Sequence, residues 1–200
     1  MNDLGVHSFN ECLALSRSKE GALDRIYQNY FQNVSRVSRI ERTDDMSLQR
    51  KGIDTFVTLN SGEVIRTQEK WRFRPYTNDI LIEYCSVWRN GECQAPGWIY
   101  TCDADYLFIV YQPSDLVKIY PVVQLKIAWN SNKEQWIRDH RNIIARNPSY
   151  VTKSVAVPTT ILEDEIRKAM RFRLSEETIG GLRVTSGDGS GMRRKAFRRR

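Results

Sequence analysis

The chain has 200 residues, 40% hydrophobic and 28% charged, which is enough to bury one sizeable core and tight for two full domains. Its net charge of +7 points toward an anionic partner. However, six of the 31 basic residues are Arg193, Arg194, Lys195, Arg198, Arg199 and Arg200, and without them 25 basic residues face 24 acidic ones. No run approaches the roughly 20 apolar residues of a membrane span, and MNDLGVHSFNECL lacks the basic-then-apolar layout of a signal peptide, so the chain reads as soluble and cytoplasmic with no membrane partner.

From Glu20 to Val34, apolar residues at Leu23, Ile26, Tyr27, Tyr30, Phe31 and Val34 fall on one helix face. Val37 to Arg42 alternates apolar and polar residues and reads as a short strand. In KGIDTFVTLNSGEVIRTQEKWRF, two β-rich runs flank the turn cluster Asn60-Ser61-Gly62, which predicts a β-hairpin. Asp79 to Cys85 predicts another strand, followed by a polar loop through Asn90, Gly91, Pro96 and Gly97. Trp98 to Tyr100 and Tyr106 to Tyr111 read as strands, the second central and covered on both faces. Pro121 to His140 has mainly helical spacing and reads as two pieces broken near Asn130-Ser131-Asn132. Ser154 to Val157 reads as a strand, and Pro158 opens a helix running through Ile161, Leu162, Ile166 and Met170.

This order predicts an α/β layer fold with a mixed central sheet flanked by helices. We expect a single domain over residues 1–185, then a flexible Gly/Ser linker and basic tail over 186–200. The four cysteines, Cys12, Cys85, Cys93 and Cys102, form no CxxC pair and read as reduced structural thiols. Cys85, Cys93, Cys102 and His140 match no common zinc spacing.

The hairpin carries the chemistry. A turn centred on position 61 sets Asp54 directly opposite Gln68, with Cβ atoms about 5 Å apart. Lys70, two residues on, returns to the same face, whereas Glu69 points away. A bulge at Gly62 would shift this register by one. A carboxylate, an amide oxygen and an ammonium on one face suit phosphodiester hydrolysis assisted by a hard divalent cation.

Gly52-Ile53-Asp54 followed by a strand ending Gln68-Glu69-Lys70 resembles the PD-(D/E)XK motif of restriction-endonuclease-like nucleases, over about the first half of the chain. The resemblance implies the three-layer fold of that superfamily and a Mg²⁺-dependent deoxyribonuclease, an endonuclease, for which Mn²⁺ can substitute. It assigns Asp54 as the metal-binding aspartate, Gln68 to the acidic position and Lys70 as the lysine. Ile53 stands where the family has proline, and Gln68 makes this a QxK variant with one negative charge fewer.

Members also place an acid on the first core helix. Asp24 is preferred here as a metal ligand, with Glu20 as the other candidate. Glu83, a charge within an apolar strand, is a further catalytic candidate or a salt-bridged strand residue. Arg50 and Lys51, beside Arg36, Arg39 and Arg42, line a DNA backbone next to the site or form a solvated basic segment. Arg193, Arg194 and Lys195 belong to a tail that adds sequence-independent phosphate affinity or serves solubility. Double-strand cutting with one site per chain favours a homodimer. The competing expectation is a catalytically inactive subunit that keeps the fold and binds nucleic acid or assembles with other components.

Overall fold

Leu23, Tyr27 and Phe31 recur every fourth residue and are 0 to 3% exposed, so the first helix, α1 (Glu20–Phe31), presses this one face onto a sheet. The structure is a computed structural model that describes residues 20–73, 78–114 and 116–170. The expected boundary at 185, the linker and the tail residues Arg193, Arg194 and Lys195 lie outside the described residues.

The sheet beneath α1 has five strands, β1 (Val37–Arg42), β2 (Thr55–Leu59), β3 (Val64–Arg72), β6 (Tyr106–Tyr111) and β7 (Leu116–Pro121), in that spatial order. All neighbours pair antiparallel except β3 and β6, which run parallel. A short helix, α2 (Met46–Arg50), capped by the Asp45 carboxylate, joins β1 to β2. Parallel pairing requires a crossover. Here the crossover carries β4 (Asp79–Arg89), β5 (Glu92–Pro96) and α3 (Trp98–Thr101).

β4 and β5 join β8 (Arg141–Arg146) and β9 (Val151–Pro158) in a second, antiparallel sheet ordered β5-β4-β9-β8. Two longer helices, α4 (Val122–Asp139) and α5 (Thr159–Ala169), complete the described fold. The class is therefore mixed α/β with a mixed sheet, but the single central sheet expected from sequence is replaced by two.

β6 shows why both sheets are needed. Its Phe108 and Val110 enter the cluster under α1, while Leu107, Ile109 and Tyr111 enter a larger core with Ile80 and Ile82 of β4, Val155 and Val157 of β9, and Trp129 of α4. Strand alternation thus sends successive residues into two different cores, as expected for a strand apolar at nearly every position.

Four local expectations are corrected. Trp98–Tyr100 begins a helical turn, not a strand: Trp98 and Ile99 bury themselves against the main core, and this packing overrides their β propensity. Pro121–His140 forms one uninterrupted helix from Val122. Asn132 does not break it because its amide donates to Ala128 O at 2.9 Å and to Glu165 of α5 at 3.2 Å. The loop through Asn90 and Gly91 is a two-residue hairpin turn, with φ of 54° and 85° at the two positions. That is the left-handed geometry for which Asn-Gly is favoured.

The fourth correction concerns the thiols. Cys85 and Cys93 form a disulfide across the β4–β5 hairpin, which leaves Cys102 as the free, buried cysteine among the described residues. Two of the four candidate zinc ligands are thereby consumed. Disulfides are rare in reducing compartments, so this bond lends no support to a cytoplasmic location. The closed loop is short, with a sequence separation of 8. Reduction should therefore cost about 2–3 kcal/mol. Urea unfolding with and without reductant measures this, and a Cys85→Ser/Cys93→Ser variant should be insensitive to the reductant. Among the described residues, no helix is long and apolar enough to cross a membrane.

Candidate active site

The β2–β3 hairpin pairs Thr55 with Thr67, Phe56 with Arg66 and Val57 with Ile65, without a register shift. Gly62 takes the left-handed position of the turn at φ 87°, and the Gly62 N–H donates to Leu59 O at 2.9 Å. Asp54 extends this ladder by one residue. Its own N–H donates to Thr67 O at 2.9 Å, and its carboxylate Oδ2 accepts the Glu69 N–H at 2.8 Å.

Alternation along β3 then separates the side chains. Glu69 turns toward α1, where the Tyr27 hydroxyl donates to it at 2.5 Å and the Thr55 hydroxyl at 2.7 Å. Lys70 turns to the opposite face, its Nζ 4.9 Å from the centre of the Trp98 ring.

Gln68 shares the Lys70 face and is 6% exposed, and among the described residues its carbonyl Oε1 has no hydrogen-bond partner. Gly52 lies against this amide. A Cβ at position 52 would stand 2.8 Å from Gln68 Nε2 and 3.0 Å from Cys102 Sγ, and the backbone there has φ +65°. Only glycine satisfies both the space and the dihedral.

Burial sets the electrostatics. It raises the pKa of Asp54 above the usual carboxylate range, against the lowering effects of the Glu69 amide and of Lys70. It lowers the pKa of Lys70, while the negative charges of Asp54 and Glu83 work in the other direction. The Cys102 thiol, on the floor between Gly52 and Lys70, is likewise pushed up by burial. Asp54 and Lys70 are thus an acid and a base whose charged forms are each disfavoured by desolvation and favoured by the other.

The remaining expected site residues are distributed as follows. Glu83, on β4, accepts a hydrogen bond from the Ser86 hydroxyl and acts on Lys70 across the space between the sheets. Asp24 instead makes an ion pair with Arg42 of β1 at 2.6 Å, and the structure does not place it with the trio. Arg50 and Lys51 are exposed at the end of α2. Lys51 borders the site, because its carbonyl accepts the Asp103 N–H at 2.7 Å one residue before Gly52. Among the described residues no three His, Cys, Asp or Glu side chains form a group able to hold a metal. The donor set assembled here is one carboxylate and one amide oxygen.

Three contributors escaped the sequence reading: Trp98 over Lys70, Cys102 beneath Gly52, and the Glu69 amide that holds Asp54. Gly52 was the available signal, since a glycine two residues before a candidate ligand marks a close approach. No protein-family model, curated protein or solved structure matches the chain.

Proposed function

We propose that the chain is a metal-dependent nuclease with a restriction-endonuclease-like arrangement, hydrolysing DNA phosphodiester bonds at Asp54, Gln68 and Lys70. The observation that carries this reading is the buried Gln68 carbonyl oxygen, unpartnered among the described residues, on the face it shares with Lys70 and beside Asp54. An orphaned buried acceptor costs about 1–3 kcal/mol. A fold that keeps one there is matched by a hard cation, which accepts one carboxylate and one amide oxygen and retains waters in its other positions.

The residues therefore fit Mg²⁺, with Mn²⁺ as a substitute, and Asp54 and Gln68 would hold it. Bound there, the ion would acidify a water and offset charge on the scissile phosphate. Asp54 is kept oriented by the Glu69 N–H. Lys70, desolvated beneath Trp98, is poised to accept a proton from the attacking water or to hydrogen-bond a phosphate oxygen. Glu83 tempers that loss of basicity by favouring the ammonium.

Plasmid nicking with Mg²⁺ or Mn²⁺ tests the proposal. Wild type should cut, and Asp54→Ala and Lys70→Ala should not while remaining folded by circular dichroism. Equal cutting by all three places the activity elsewhere, and retained DNA binding without cutting in wild type leaves the inactive binding subunit. Deleting residues 192–200 should weaken DNA binding and flatten its dependence on salt without changing the cleavage products. A salt slope identical to that of the full chain removes the tail from the interface.

A further inference from the structure

Glu69 is a charged side chain of the hairpin that the chemistry above does not use, and it is held from two other elements at once. Its Oε1 accepts from Tyr27 of α1 at 2.5 Å and from Thr55 of β2 at 2.7 Å. The Tyr27 hydroxyl lies 3.0 Å from Thr67 Oγ1, and the Thr67 hydroxyl donates to Thr55 O at 3.3 Å. Tyr27, Thr55 and Thr67 are each 0% exposed, so the three hydroxyls are shielded from water although the Glu69 carboxylate they hold is only partly buried. The Asp24–Arg42 ion pair lies on the same side, and Arg42 favours the Glu69 carboxylate.

A buried carboxylate is costly unless it is fully hydrogen-bonded, and an apolar residue at 69 would pack against α1 without that cost. What the carboxylate adds is a lock on the backbone. It ties one residue of β3 to α1 and β2 at once, and that residue carries the N–H that holds Asp54 Oδ2 at 2.8 Å. Its sequence neighbours are Gln68 and Lys70, so a shift of the peptide at 69 would move all three proposed site groups together.

We infer that Glu69 is a positioning residue: clamped by Tyr27 and Thr55 on one face of the sheet, it fixes the backbone that aims Asp54, Gln68 and Lys70 on the other. What they are aimed at rests on the nuclease reading, whereas the clamp itself does not. Three variants separate the roles. Glu69→Ala removes the clamp, Tyr27→Phe removes one hydroxyl and keeps the ring, and Glu69→Gln keeps an acceptor oxygen while removing the charge.

Hydrogen–deuterium exchange of the residue 69 amide reports on the bond to Asp54, with Val155 of β9 as a distant control. Mn²⁺ titration and the nicking parameters kcat and KM report on the site. Exchange at position 69 should quicken about tenfold in Glu69→Ala and about threefold in Tyr27→Phe, with Val155 unchanged and Glu69→Gln close to wild type. Mn²⁺ affinity and kcat should fall in the same order, with KM within about twofold.

Exchange and Mn²⁺ affinity unaltered in Tyr27→Phe and Glu69→Ala would overturn the inference. Equal quickening at Val155, the mark of general destabilisation, would do the same. Should Glu69→Ala not fold, the contrast between Tyr27→Phe and Glu69→Gln decides. The exchange pattern without any nicking or Mn²⁺ binding in wild type would uphold the clamp and remove the nuclease.

Discussion

Substituting Asp54 by asparagine should lower metal-dependent nicking by about a thousandfold and leave the protein as stable as wild type or more so. Asparagine keeps an oxygen to accept the Glu69 N–H, so the local bonds survive, but it removes the charge a cation requires. The stability sign follows from burial, which raises the folded-state pKa of Asp54 above its unfolded value. An acid shifted upward contributes stability that is complete below its unfolded pKa and is lost as the pH rises through its folded pKa.

Wild type loses that contribution as the pH rises through the folded pKa, whereas asparagine has nothing to lose. The advantage of the variant should therefore grow between pH 3 and pH 7, which thermal melts at the two values measure. Lys70 runs the other way: its pKa is lowered, so its contribution is present above the unfolded lysine range and is lost as the pH falls through the folded value. Lys70→Met should likewise silence cutting without unfolding the protein, and the nicking rate of wild type should rise with pH through the folded pKa of Lys70. An Asp54→Asn protein that still cuts, or that melts far below wild type, would refute this account. Charges that burial disfavours at both positions are the expected signature of a trade between stability and activity.

Gly97→Ala should be the most damaging single substitution to the fold, at more than about 4 kcal/mol. A Cβ at position 97 would lie 2.1 Å from the Glu83 carbonyl oxygen, 2.4 Å from the Glu83 carbonyl carbon and 2.7 Å from that of Tyr84. These are backbone atoms of a paired strand and cannot rotate away. Gly97 N also donates to Tyr84 O at 3.2 Å, which locks the close approach. The φ of −74° is ordinary, so the requirement is for space and not for a left-handed conformation. Relief of the clash would push α3 from β4 and lift Trp98 from Lys70. Urea unfolding and expression level measure the effect, and a variant within about 1 kcal/mol of wild type would show that β4 yields more than its pairing with β9 suggests.

The hairpin was legible because local rules determine it. A glycine-containing turn and strand alternation suffice to bring Gln68 and Lys70 to one face and Asp54 beside them, and no distant residue is needed to obtain that register. The face of α1 was equally legible in the spacing of Leu23, Tyr27 and Phe31. Asp24 shows the limit of such reasoning. Its place on the helix follows from the spacing, but its partner, Arg42, lies 18 residues away on a strand, and no periodicity reveals which side chain a surface acid will meet.

The sequence alone therefore determined the elements whose geometry closes within a few residues: α1, the β2–β3 hairpin with its opposed polar groups, the doubly buried β6 and the helix after Pro158. Tertiary structure decided the division of strands into two sheets, the helical turn at Trp98, the Cys85–Cys93 bond and the burial that shifts Asp54 and Lys70 in opposite directions. The reason is physical. Hydrogen bonding along a turn or strand is set by neighbouring residues, whereas desolvation depends on atoms contributed from the whole chain, here Trp98, Cys102 and Glu83, brought against the hairpin by a crossover that no local pattern encodes.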